Sequence, residues 1–105
     1  MTLKYFQFKN FNNNHQNCMY FITLGENTFI LNVKWNKYCD CATLSMYDYN
    51  NNPIIKGRAL VNKLYIRNNK LPYIFFFSQK DGKTYEPTLN NIAEEFLLFY
   101  DDEVE

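Results

Sequence analysis

The segment from Phe21 to Gly57 alternates apolar and polar residues over several short runs, and turn residues separate the runs. In the clearest run, four apolar side chains fall on one face, with Ile30 as an exception on the other: Phe29, Leu31, Val33 and Trp35. A period of two residues is that of a β-strand with one face in the core. The segment therefore predicts a β-meander.

Turn residues divide the rest of the chain in the same way. We expect strands at 4–9, 18–24, 28–35, 41–47, 54–61, 73–78 and 95–100, and either a short strand or a crossing loop at 64–66. Residues 25–27 suit a three-residue turn, and Asp81-Gly82 suits a two-residue turn into a return strand at 84–86. Gly57 is expected to kink or bulge its strand, and 88–94 has the propensity for one short helical turn capped by Thr88.

These elements predict an all-β fold, a small barrel or sandwich of six to eight short, mostly antiparallel strands. The 105 residues fit a single domain, 1–105, with an acidic tail at 101–105.

Aromatic residues make up 19% of the chain, which suits a pleated, half-buried surface. A domain of this size buries about 65% of its surface, so exposed rings predict a partner surface.

Charge is balanced overall but unevenly distributed. Residues 1–93 carry eleven positive and five negative charges, and the last twelve residues carry six negative charges. The acidic end is either a solvated tail or a segment that docks on a basic neighbour. Arg58 and Arg67 are the only arginines, which makes nucleic acid an unfavoured partner. No apolar run reaches membrane-spanning length, so we expect no membrane partner and synthesis in a cytoplasm.

Sequence motifs of catalysis are missing from the chain. It has no glycine-rich phosphate loop, H-E-x-x-H sequence or nucleophile elbow. The adjacent carboxylates Glu94 and Glu95 would point in different directions on a strand or a helix, so they do not form an acid–base pair. We therefore expect a protein without enzymatic activity or a cofactor.

The three cysteines allow two interpretations. Cys18, Cys39 and Cys41, with His15, could supply three sulfur ligands and one nitrogen ligand to a structural zinc ion, although zinc knuckles usually use C-x-x-C. An odd number of cysteines argues against a closed disulfide framework. We favour reduced thiols and no metal.

Four short motifs follow one another at characteristic spacings: Thr23-Leu24-Gly25, Trp35-Asn36, Met46-Tyr47-Asp48 and Pro53-Ile54-Ile55-Lys56-Gly57. Leu60-Val61, Leu71-Pro72 and a closing Leu97-Leu98-Phe99-Tyr100 come after them. With these motifs the chain resembles the small baseplate plug proteins of contractile-tailed bacteriophages, first described in a cyanophage baseplate. The resemblance extends from about Tyr20 to Asp101. Asn62 and Thr43-Leu44 depart from the family pattern, which affects loop details more than the fold.

The resemblance implies a structural role. Such proteins sit in a symmetric ring on the tail axis, between the tube and the hub or spike, and they also occur in phage-tail-like bacteriocins. It implies self-association as a trimer or hexamer and contacts with tail tube, hub, spike or wedge proteins. It also implies a place in a virion or tail-like particle, at the baseplate, with synthesis in a bacterial cytoplasm. A ring of small β domains hides sheet edges that would otherwise aggregate. Our candidates for interface residues are Trp35, Tyr47, Tyr49, Arg58, Tyr65 and Arg67.

A second class of function stays open at this point. A small β-barrel can bind single-stranded nucleic acid by stacking bases on aromatic side chains beside cations. In this chain Trp35, Tyr47 and Tyr49 would provide the rings, and Lys34 and Arg58 the charges.

Overall fold

The computed structural model describes residues 3–67, 74–80, 86–89 and 91–101. Within these ranges the chain forms eight strands and one short helix: β1 Leu3–Phe6, β2 Asn17–Leu24, β3 Asn27–Asn36, β4 Cys41–Asp48, β5 Pro53–Leu60, β6 Leu64–Ile66, β7 Phe75–Gln79, α1 Ile92–Glu95 and β8 Phe96–Asp101. The predicted turn at Asp81-Gly82 and residues 84–85 of the predicted return strand lie outside the described residues.

The strands form two antiparallel four-stranded sheets. Sheet 1 has the order β1-β8-β7-β6, and sheet 2 has the order β2-β3-β4-β5. The sheets are not closed into a barrel. The all-β prediction is therefore confirmed, and of the two predicted architectures the structure is the sandwich.

Sheet 2 is the meander that the alternation predicted. Its first hairpin is tighter than expected, because Leu24 pairs with Asn27 and the turn contains two residues. Gly25 takes a φ of 63° at the first central position of that turn, where a type II′ turn requires glycine. The predicted three-residue turn was therefore one residue too long.

The bulge predicted at Gly57 is confirmed. In the β4–β5 pairing Leu44 is opposite Arg58 and Met46 is opposite Ile55, so two residues of β5 face one residue of β4. Gly57 has a φ of 60°, and its amide donates a hydrogen bond to Ser45 Oγ at 3.0 Å. A left-handed glycine opposite one partner residue is typical of a β-bulge.

The core lies between the inner faces of the two sheets. Residues of both sheets, of the segment between β1 and β2, and of α1 are almost completely buried there: Phe8, Phe11, Leu24, Leu31, Leu44, Met46, Leu60, Phe75, Phe77, Ile92, Phe96 and Leu98. Phe77 stacks on Phe96 with ring centroids 5.4 Å apart and an angle of 13°. The predicted first strand, 4–9, ends earlier, at Phe6, because Phe8 and Phe11 turn into this core.

Two local details need correction: the state of the cysteines and the cap of the short helix. Cys39 and Cys41 form a disulfide, whereas reduced thiols were expected. Asp40 between them has a φ of 53°, and this left-handed residue returns the chain so that the two Cα atoms lie 5.4 Å apart. The predicted short helical turn is confirmed as α1, which lies at the end of the predicted 88–94 window, but no side chain caps it. The backbone carbonyl of Thr88, and not its side chain, accepts a hydrogen bond from the Ile92 amide at 2.9 Å.

Candidate assembly surface

The outer face of sheet 1 carries an aromatic side chain on each of its four strands, in a single cross-strand row. In the register of the sheet Tyr5 is opposite Phe99, Phe99 is opposite Phe76, and Phe76 is opposite Tyr65. The terminal rings, Tyr5 and Tyr65, are 64% and 63% exposed, and the two middle rings are half-buried. We call these four residues the aromatic row.

Alternation along the strands explains how the row forms. In β7, Phe75 and Phe77 enter the core, so Phe76 between them must point outward. In β8, Leu98 and Tyr100 are buried, and Phe99 between them points outward. Tyr65 packs on Phe76 with ring centroids 4.5 Å apart, a distance typical of favourable aromatic pairs. Single exposed apolar residues are normal, but a row across a whole sheet marks an interaction surface.

The outer face of sheet 2 carries a second row. Phe21 is opposite Ile30, Ile30 is opposite Tyr47, and Tyr47 is opposite Pro53. Ile30 is the residue that broke the alternation in the sequence, and it is buried on this outer face, outside the core cluster. Both outer faces of the sandwich therefore present apolar surface.

The six predicted interface candidates do not lie on one surface. Tyr65 belongs to the aromatic row, and Arg67 is exposed just after β6. Tyr47 lies on the outer face of sheet 2, and Tyr49 is exposed in the turn after β4. The remaining two candidates differ from these: Arg58 is exposed on the edge strand β5, and Trp35 is half-buried against the core.

The rings proposed for nucleic-acid stacking are also separated. Trp35 is paired with the buried Ala42 and points to the inside of sheet 2. Tyr47 is paired with Ile30 and points to the outside of the same sheet. A stacking surface needs rings on one face, so these residues do not form the platform that the second class of function requires.

The zinc hypothesis meets a similar difficulty. The disulfide uses the sulfur atoms of both Cys39 and Cys41, which were two of the four proposed ligands. Within the described ranges, no group of three His, Cys, Asp or Glu side chains is arranged to hold a metal ion.

In the same part of the chain no helix has the length and apolarity needed to cross a bilayer.

Among the residues that the structure describes, two titratable side chains have perturbed environments, and both have structural explanations. The Asp48 carboxylate accepts hydrogen bonds from the amides of Asn50 and Asn52, each at 2.9 Å, and from the Asn52 side chain at 3.1 Å. The bonds from Asn52 are the main cause that lowers the pKa of Asp48, and they fix the β4–β5 turn. Burial raises the pKa of the Tyr20 phenol, which donates to the Lys9 carbonyl at 2.7 Å.

Several surface residues were not predicted. Tyr5, Phe76 and Phe99 complete the aromatic row, and Met19 and Phe21 are 62% exposed on β2. The sequence contained a partial indication, since each of these strands has at least two aromatic residues. The sequence did not reveal that β1 pairs with β8 and that β8 pairs with β7. These pairings bring the rings into one row.

The protein is an all-β sandwich with open sheet edges and apolar outer faces. Such features are typical of a protein that contacts other proteins. A family model described as the cyanophage baseplate Pam3 plug gp18 matches residues 5–103. The chain belongs to this baseplate plug family, which confirms the resemblance found in the motifs. The family is a structural one, and membership indicates a place in the phage virion among other baseplate proteins. Among curated proteins, none matches the chain.

Proposed function

We propose that this chain is a structural component of the baseplate or hub of a contractile phage tail or of a phage-tail-like bacteriocin. Copies assemble into a symmetric ring, a trimer or a hexamer, on the tail axis between the tube and the hub or spike. The observation that carries this proposal is the family match over residues 5–103. The protein performs no reaction, and its neighbours are tube, hub, spike or wedge proteins.

The two apolar outer faces support a ring. A cyclic ring is built from head-to-tail contacts, in which two different surfaces of each copy meet. The aromatic row lies on the outside of sheet 1, and the row through Tyr47 lies on the outside of sheet 2, on the opposite side of the sandwich. Each copy can therefore present one face to the copy before it and the other face to the copy after it. Aromatic side chains are enriched at such interfaces.

Charge supports contacts along the tail axis. Arg58 is exposed on β5, an edge strand of sheet 2, and Arg67 is exposed just after β6, an edge strand of sheet 1. The acidic residues of the sequence are concentrated after position 93. A chain with oppositely charged regions fits neighbours of complementary charge and discriminates between their orientations.

The size and symmetry of the purified protein test the ring. Light scattering after size-exclusion chromatography should give a trimer or hexamer mass, and electron-microscopy averages should show threefold or sixfold symmetry. Tyr65→Lys, which adds a charge to the aromatic row, should dissociate the ring. Tyr38→Lys is the matched control, because Tyr38 is 91% exposed in the β3–β4 turn, outside both rows.

A second experiment tests the location. Tail particles purified from the source should contain this chain at the baseplate end, detected with an antibody and by cryo-electron microscopy. A chain that stays monomeric and is missing from purified tails would contradict the proposal.

A further inference from the structure

The two edges of sheet 2 differ in their protection against further strand pairing. On β5, Pro53 lacks an amide hydrogen, Gly57 forms the bulge, and Lys56 and Arg58 add charge. These are the features by which proteins prevent pairing of an edge strand with another chain. β2, at the other edge, has none of them: its sequence is Asn17-Cys18-Met19-Tyr20-Phe21-Ile22-Thr23-Leu24.

The backbone of β2 is suited to accept another strand. β2 pairs with β3 over eight consecutive residues without a register shift. In a two-residue hairpin the pair next to the turn, here Leu24 and Asn27, exchanges hydrogen bonds, and such pairs then alternate along the ladder. The even-numbered residues of β2 therefore bond to β3, and the odd-numbered residues direct their amides and carbonyls to the open edge. The Trp35 amide bonds to the Gln16 carbonyl at 2.9 Å, which agrees with this alternation.

The same odd-numbered residues carry the exposed apolar side chains. Met19 and Phe21 are each 62% exposed on the outer face, and β3 is the sole strand paired with β2 within the described residues. An incoming strand would thus find hydrogen-bonding groups and apolar side chains together. Long, uncharged edges of this kind are aggregation sites unless a partner covers them.

A groove next to β2 extends this surface toward sheet 1. It has a volume of about 460 Å³ and is lined by Tyr5, Phe6, Gln7, Lys9, Tyr20 and Phe21. The hydrogen bond from Tyr20 Oη to the Lys9 carbonyl, at 2.7 Å, ties β2 to the segment after β1. Tyr5 is exposed at the other side of the groove, so the apolar surface runs from one edge strand to the other.

We propose that β2 pairs antiparallel with β2 of a second copy, around a twofold axis, and joins the two copies of sheet 2 into one eight-stranded sheet. The strand is self-complementary for two reasons. It carries no charge that a second copy would repel. Each residue whose amide and carbonyl point to the open edge can also pair with such a residue of the other strand. Twofold contacts place the same surface on both partners.

The exposed area predicts that this dimer is weak. Large side chains each carry roughly 150–250 Å² of surface, a range taken from the aromatic residues. The exposed parts of Tyr5, Met19 and Phe21 therefore amount to about 400 Å² per copy. A standard stable interface buries about 800 Å² per partner. We therefore expect a dimer that forms and dissociates with protein concentration. The exposed Lys9 of each copy lines the groove beside the contact, so the two copies bring positive charges toward each other. Salt screens the repulsion between these charges, and association should therefore strengthen as the salt concentration rises.

This contact is separate from the proposed ring. A twofold contact closes with two copies, whereas a ring needs head-to-tail contacts. Because Phe21 also belongs to the apolar row on the outer face of sheet 2, its variants can affect both assemblies. Mass distinguishes them, since the β2 contact gives two copies and the ring gives three or six, and Tyr65→Lys changes the aromatic row without touching β2.

Sedimentation velocity over a wide concentration range tests the proposal. The wild-type chain should change from monomer to dimer, and Phe21→Lys should weaken that dimer by about tenfold or more, because lysine is a natural blocker of edge strands. Tyr38→Lys should leave it unchanged. Phe21→Pro should also abolish the dimer while circular dichroism keeps the strand signal, because it removes an outward amide and leaves the bonds to β3 intact.

Two results would overturn the proposal. One is a wild-type chain that stays monomeric at every concentration. The other is an oligomer, of whatever size, that persists unchanged in Phe21→Lys and Phe21→Pro. If Tyr65→Lys dissociates that oligomer, the contact belongs to the aromatic row and the proposed ring stands without the β2 dimer.

Discussion

Phe76 and Phe77 are adjacent in the chain but lie on opposite faces of sheet 1, so replacing each with Ala should have different consequences. Phe77 is completely buried, and its ring lies 5.4 Å from Phe96 and 6.1 Å from Phe8 between centroids. Removing a buried phenyl ring leaves a cavity and costs about 3–5 kcal/mol. Domains of this size have unfolding free energies on the order of 5–15 kcal/mol, so Phe77→Ala should remove a large fraction of the stability.

The loss for Phe76→Ala should be much smaller. Its ring is half-buried on the outer face and contacts Tyr65 at 4.5 Å. An aromatic pair contributes about 0.5–1.5 kcal/mol beyond area burial, and half of a ring's burial adds about 1 kcal/mol. We therefore expect a loss of about 2 kcal/mol. The main effect of this variant should be on self-association.

Urea unfolding followed by circular dichroism, at a concentration where the chain is monomeric, measures both losses. The dependence of the unfolding free energy on urea should be the same in both variants, because the fold is unchanged. Equal losses, or a larger loss for Phe76→Ala, would refute the assignment of the two rings to opposite faces. The β7–β8 register and the aromatic row would then be wrong as well.

Three further predictions concern the bulge of β5 and two turns. Gly57→Ala should lower the unfolding free energy by about 1–2 kcal/mol, because a Cβ there meets no atom within 4 Å and only the left-handed φ of 60° is unfavourable; an unchanged urea midpoint would contradict this. Replacing both Cys39 and Cys41 with Ser should cost less than about 2 kcal/mol, since the disulfide closes a very short loop, and thermal unfolding with and without reductant measures the same difference. The lowered pKa of Asp48 adds stability that is complete above its unfolded value of 3.8 and is lost as pH falls through the folded pKa. Asp48→Ala should therefore lower the melting temperature at neutral pH and flatten its acid dependence, and an equal acid slope in wild type and variant would rule out this contribution.

The strands of the meander could be predicted from the sequence because their evidence is local. Alternation places Phe29, Leu31 and Val33 in the core without knowledge of any partner strand, and the structure buries all three. The bulge at Gly57 was also predictable, because a left-handed position in a strand favours glycine. The motif order from Tyr20 onward identified the family, which the match over residues 5–103 confirms.

The assembly surface required the tertiary structure. Tyr5 and Phe99 meet because the first strand pairs with the last, and no local pattern specifies a partner so distant in the chain. The disulfide depends on the left-handed Asp40, a conformation that residue counts do not reveal. Alternation along a strand thus determined which side chains point inward, whereas the long-range register decided which outward side chains become neighbours. A shift of one residue in that register would send every ring of a strand to the opposite face.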